Sequence, residues 1–148
     1  MPQGTENLEK VEDSTHLTQD QRRARAAWAA IASDTAPKGI KYDKDVAPKY
    51  LSYVKSAPTL ILTNGLGQCL AFWNSNSGVK TAEERAYKAL LKHLSDFITT
   101  RIPDTQNDLF EAVINRFDSV MYRRATNEVL AYLSWLKKFA EAEIQKEG

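Results

Sequence analysis

The stretch from about Ser119 to Gln145 contains neither Gly nor Pro, and its apolar residues return at helical spacing. At about 100° per residue, Val129, Leu130, Leu133, Leu136, Ala140 and Ile144 fall within roughly 120° of one another, a stripe wide enough to close a core. No segment alternates apolar and polar residues over a useful length, so strands have no sequence support. A long amphipathic helix in a chain without strands predicts an all-α fold, a single-domain bundle of about six or seven helices. The opposite side of the same helix gathers Arg124, Asn127, Ala131, Trp135, Lys138 and Ala142. Trp135 points roughly 160° away from Leu133, where solvent is expected. Tryptophan beside cationic side chains is a composition typical of contact hot spots, and it also suits stacking on nucleic-acid bases.

The helical period extends back along the chain. Thr18 and Gln21 have the spacing of a capping box, which opens a helix over Gln19 to Ser33. Ala24, Ala27, Trp28 and Ile31 form its apolar face, with Trp28 expected in the core, and Arg22, Arg25 and Ala29 lie on a neighbouring face. Asp34 to Lys44, with Pro37 and Gly39, reads as a loop. A second helix opens at Asp45 or Val46, with Pro48 tolerated in its first turn, and buries Tyr50, Leu51, Val54 and Ala57. Pro58 predicts a kink or break near Ser56 or Ala57. Leu60, Ile61 and Leu62 resume the pattern.

Thr63, Asn64, Gly65, Leu66, Gly67 and Gln68 then interrupt it, before Cys69, Leu70, Ala71, Phe72 and Trp73 restore an apolar run. The interruption reads as a helix-to-helix junction in which Asn64 and Gly65 supply permissive backbone. No Lys follows as in a phosphate-binding loop, and no strand precedes as in a dinucleotide fold. After a polar loop from Asn74 to Lys80, Thr81 and Glu84 form a second capping box for a helix reaching about Arg101, striped by Tyr87, Leu90, Leu91, Leu94 and Ile98. His93 on that helix reads as a surface or packing residue. Pro103 and Asp104 end it, and a short helix from about Asn107 to Asn115 carries Leu109, Phe110, Val113 and Ile114.

Composition narrows the function. Over 148 residues, 20 basic and 19 acidic side chains leave a net charge of +1, so no strong overall field gathers nucleic acid or anionic membrane. The average hides an asymmetry. Glu6, Glu9, Glu12 and Asp13 against Lys10 give residues 1–16 a charge of −3, which leaves +4 on the remainder. Residues 1–17, poor in apolar side chains, read as a flexible acidic arm ahead of a domain over 18–148. The arm lacks the basic start and apolar stretch of a secretory signal, and no apolar run approaches a membrane span. A single Cys69 suits a reducing, cytoplasmic setting and, with only His16 and His93 beside it, leaves little material for a metal site. There is no nucleophile elbow, HExxH pair, phosphate-loop lysine or carboxylate set spaced for two metals, so neither enzyme activity nor a cofactor is expected.

Three blocks, LTQDQRRARAAWAAI (17–31), KYLSYVKSAPTLILTNGLGQCLAFW (49–73) and YRRATNEVLAYLSWLKKFAEAE (122–143), resemble the small helical subunit of the type III-B CRISPR effector, the Cmr complex. They cover about sixty residues, and the TNGLGQ junction with the WLKKFAEAE ending is their most specific part, whereas 74–121 offers no matching motif. The resemblance implies a non-catalytic protein of antiviral defence that assembles along a filament of backbone subunits beside guide RNA and target RNA, with self-association in the filament also open. Carried over by position, it implies RNA-phosphate contacts at Arg22, Arg25, Lys49, Lys55, Arg123, Arg124, Lys137 and Lys138. Asn64, Gln68 and Trp135 are assigned to subunit contacts. Two alternatives stay open: an adaptor that binds only proteins, and a hydrolase of dispersed design. The −3 charge of the arm opposes contact with phosphates and suits a protein surface instead.

Overall fold

The structure, a computed structural model, describes residues 16–102, 105 and 108–144. Among them are six α-helices and no strand: α1 (Gln19–Ala32), α2 (Ala47–Asn64), α3 (Leu66–Asn76), α4 (Ala82–Arg101), α5 (Leu109–Asn115) and α6 (Ser119–Glu143). A single 3-10 turn, Ile40–Tyr42, interrupts the loop after α1. The arm except for its last two residues, together with Pro103, Asp104 and Asn107 before the short helix and Gln145 at the expected end of the last helix, lies outside the described residues.

Several helices start where a side chain can accept an orphaned backbone N–H. The Thr18 hydroxyl accepts from Gln21 N–H at 3.0 Å and Gln21 Oε1 accepts from Thr18 N–H at 2.8 Å, completing the expected box. Asp108 and Asp118 cap α5 and α6 through their own carboxylates. Thr81 caps α4, but Glu84 reaches back to Lys80 N–H, one residue earlier than a capping box requires.

The long C-terminal helix is the spine. Helix α1 lies along α6, α2 packs on both α4 and α6, α3 on α2 and α4, and α5 on α3 and α4. The expected stripe of α6 is buried at Val129, Leu133, Leu136, Ala140 and Ile144. Facing it, α2 buries Tyr50, Leu51, Val54 and Ala57, and α4 buries Leu90, Leu94 and Ile98. Tyr132 stacks on Phe97 with centroids 4.3 Å apart, and Trp73 is buried between α3 and its neighbours. His93 packs edge-on to Tyr50, whose hydroxyl lies 2.7 Å from His93 Nδ1.

Three expectations need correction. Pro58 does not break α2, which is continuous from Ala47 to Asn64. Buried Val54, Ala57 and Ile61 hold both sides of the proline, and that packing outweighs the lost backbone bond. Trp28 is not core: it is 46% exposed and leans edge-on against Phe139 at 5.2 Å. Its helix turns Ala27, Ile31 and Ala32 to the core instead, which leaves Trp28 at the edge of the contact with α6. Trp135 is not pointed at solvent, because α1 covers that flank. It is half-buried, and its indole N–H donates to Asp20 at 2.9 Å.

At the junction, Gly65 takes φ +89° and ψ 155°, a conformation reserved to glycine. The first turn of α3 is fixed by α6: Gly67 N–H donates to the Tyr122 hydroxyl at 2.8 Å.

Candidate nucleic-acid interface

Glu128 sits on the buried face of α6, between Ala125 and Tyr132, where an unpaired carboxylate would be costly. Arg23 of α1 meets it through two bonds, Nε to Oε2 at 2.9 Å and an Nη to Oε1 at 2.8 Å. Arg101, at the end of α4, approaches the same carboxylate at 3.9 Å. The Arg23 hydrogen bonds hold the Glu128 carboxyl below its usual range and keep Arg23 more firmly protonated. One carboxylate thus draws arginines from two further helices to one place on α6.

The outcome is a depression of about 430 Å³ with Arg23, Arg101, Arg123 and Arg124 around Glu128. Arg123 and Arg124 are exposed at its edge, and an Arg124 Nη donates to the Arg101 carbonyl at 3.3 Å. Asp20, 3.5 Å from Arg23, is the nearest further acid. Four guanidiniums against two carboxylates leave the patch cationic, in a shape that offers several N–H forks to an anion.

Of the eight basic positions named from sequence, the fold brings Arg123 and Arg124 into this depression. Arg22 lies close by, lining a groove that shares Arg101. Arg25 is exposed on α1, and Lys55 is exposed on α2. Lys49, also on α2, is 3.7 Å from Glu83. Lys137 and Lys138 lie about 21 Å further along α6 from Arg123 and Arg124, at 1.5 Å per residue. Lys138 is already engaged, its Nζ over the Trp135 ring at 5.4 Å and donating to Ser134 Oγ. Asn64 and Gln68 are both exposed at the α2–α3 junction.

Sequence reasoning missed Arg23 and Arg101. The signal that could have found them is Glu128 itself, a carboxylate adjoining the apolar stripe that demands cations from elsewhere in the fold. A second surface lies on the α1–α6 seam, where Phe139 touches both Trp28 and Trp135, the latter at 5.6 Å. Among the described residues no cluster of His, Cys, Asp or Glu could hold a metal ion, and no helix is long and apolar enough to cross a membrane.

Comparison with known proteins places the whole helical domain in a family. The family model described as CRISPR-associated protein (Cas_Cmr5) matches residues 19–143, which includes the central segment that carries no recognisable motif. The CRISPR system Cmr subunit Cmr5 of Thermus thermophilus is 30% identical over 129 residues, covering 87% of this chain and 98% of that protein. The crystal structure of a CRISPR-associated Cmr5 family protein from Thermus thermophilus aligns with a TM-score of 0.64 at 28% identity, covering 87% of this chain and 100% of that one.

Proposed function

This chain belongs to the CRISPR-associated Cmr5 family, and from that premise we propose that it is a non-catalytic small subunit of a Cmr ribonucleoprotein, contacting RNA phosphates through its arginine depression. The observation that carries this reading is the gathering of Arg23, Arg101, Arg123 and Arg124 from three helices around one buried carboxylate. Such a site suits a phosphate backbone, and in this reading sequence specificity falls to pairing between guide and target RNA. The same reading places the subunit beside the backbone filament in the cytoplasm, with other Cmr subunits as its partners.

A second reading has its own support. Trp28, Phe139 and Trp135, flanked by Arg25 and Lys138, have the composition of a protein-contact hot spot. In this reading the chain is an adaptor whose contacts are all with protein.

Fluorescence anisotropy of a labelled RNA of about forty nucleotides, titrated with the full chain at low and moderate salt, separates the two. The RNA reading expects binding that weakens with salt and leaves the RNA intact. R123E/R124E should then weaken it roughly tenfold, the equivalent of about 1.4 kcal/mol. K137E/K138E should cost less, because those lysines stand apart from the arginine cluster. Equal binding by wild type and R123E/R124E would overturn the assignment, and no binding at low salt would favour the adaptor.

A further inference from the structure

Helix α1 lies along α6, and their seam carries an aromatic shelf. Phe139 stands between two indoles, nearly perpendicular to Trp28 at 5.2 Å and tilted by 31° to Trp135 at 5.6 Å. Trp135 is already engaged: its N–H donates to Asp20 at 2.9 Å, and Lys138 Nζ lies over its ring at 5.4 Å. Trp28 differs. Among the described residues it meets no ring but Phe139, and it stays half-exposed, so an indole braced on one side remains open to a flat partner.

The surroundings decide between a protein side chain and a nucleobase. An anchor in a protein contact is packed among further apolar groups, with charge kept to the rim. Along α1 and α6, however, the only other exposed large apolar side chain is Val120, at the far end of α6. Beside Trp28 the charge is positive instead. Arg25, one turn back on α1, is exposed and pairs with no acid among the described residues, and Lys138 adjoins from α6. The nearby acids are spent or turned away: Asp20 is shared by Trp135 and Arg23, Glu143 pairs with Lys41 at 2.8 Å, and Glu141 lies about 120° around α6 from Trp135. A π face beside free cations is the combination that holds a nucleotide, base on ring and phosphate on cation. The shelf also continues the arginine depression. At about 100° per residue, Arg124, Trp135 and Lys138 fall within roughly 60° of one another on α6, and Asp20 touches both Arg23 and Trp135.

We propose that Trp28 is a stacking platform for an unpaired RNA base, with Arg25 and Lys138 against the adjoining phosphates. The inference rests on the RNA reading and narrows it: the RNA held by this subunit presents at least one base outside a duplex stack, because a paired and stacked base has no free face.

The test is anisotropy of the full chain, as wild type, W28A and W28F, on a labelled single strand of about forty nucleotides and on a duplex of the same length. W28A should weaken single-strand binding about tenfold. It should leave duplex affinity and the salt slope unchanged, since no phosphate contact is removed. W28F, which keeps an aromatic face, should retain most of the affinity. The single strand should also quench the tryptophan emission of the wild type, and W28F should lose most of that quenching. Equal single-strand affinity for wild type and W28A, with salt-dependent binding intact, would overturn the inference and leave the RNA reading standing. A W28A chain that binds RNA normally but no longer joins purified Cmr subunits would likewise overturn it and assign the shelf to protein. Equal losses on single strand and duplex would overturn it too, because Trp28 would then act through the fold. Absence of any RNA binding by the wild type would remove the RNA reading and this inference together.

Discussion

At Glu128 one side chain serves both stability and charge. Its two bonds from Arg23 are mostly shielded from solvent, and removing the charge takes the carboxylate from Arg101 and leaves Arg23 only the more exposed Asp20, 3.5 Å away. Glu128→Gln should destabilise the fold by about 2 kcal/mol in chemical unfolding and yet tighten RNA binding about twofold, because the depression becomes more cationic. Loss of both stability and RNA affinity would mean that Glu128 only builds the site. His93 gives a separate pH signature. Burial lowers its pKa from 6.5 to about 4, so above pH 6.5 it is neutral folded or unfolded and contributes no slope. Between pH 6.5 and 4 the unfolded chain takes up the proton and the folded one does not, and stability falls by at most about 1.4 kcal/mol per pH unit. His93→Gln should flatten that limb in unfolding measured across the range, whereas the Glu128 contribution starts to be lost only as the pH falls through the ordinary carboxylate value of 4.5. The misjudged Trp135 has a tertiary cause. An apolar stripe identifies the face that meets the core, but where a second helix lies along the flank depends on the whole fold, and α1 does that to Trp135.

At the scale of the element, most of the helices were legible because their starts are written locally. Thr18, Thr81 and the periodic apolar positions of α2, α4 and α6 need no tertiary information. What could not be read there was the fate of Pro58, since its local cost is opposed by packing from α4 and α6. The α2–α3 junction was legible for the opposite reason: only glycine reaches the backbone conformation at Gly65. Gly65→Ala should cost about 1–3 kcal/mol. Tyr122→Phe, which deletes the hydroxyl acceptor for Gly67 N–H, should cost about 1 kcal/mol. Denaturant midpoints check both, and a wild-type midpoint for Gly65→Ala would show that the junction relaxes into an ordinary turn.

For the molecule as a whole, the all-α class and the family resemblance were within reach of the sequence, whereas the candidate site was only half legible. Arg123 and Arg124 adjoin in sequence, but Arg23 and Arg101 join them only because α1 and the end of α4 converge on the N-terminal half of α6. The groove between α1 and α4 was not legible at all, since it exists through the absence of large side chains at Ala26, Ala29, Ala30 and Ala89. Arg101 lines both the groove and the arginine depression. The most direct test of the central claim is the salt dependence of RNA affinity for the wild type and for R123Q/R124Q, measured by anisotropy on the same RNA. Each phosphate contact on a single strand contributes about 0.7 to the slope of log K against log salt, so the double variant should lower the slope by roughly 1.4 while the fold stays intact. An unchanged slope would contradict a phosphate-binding role for this cluster.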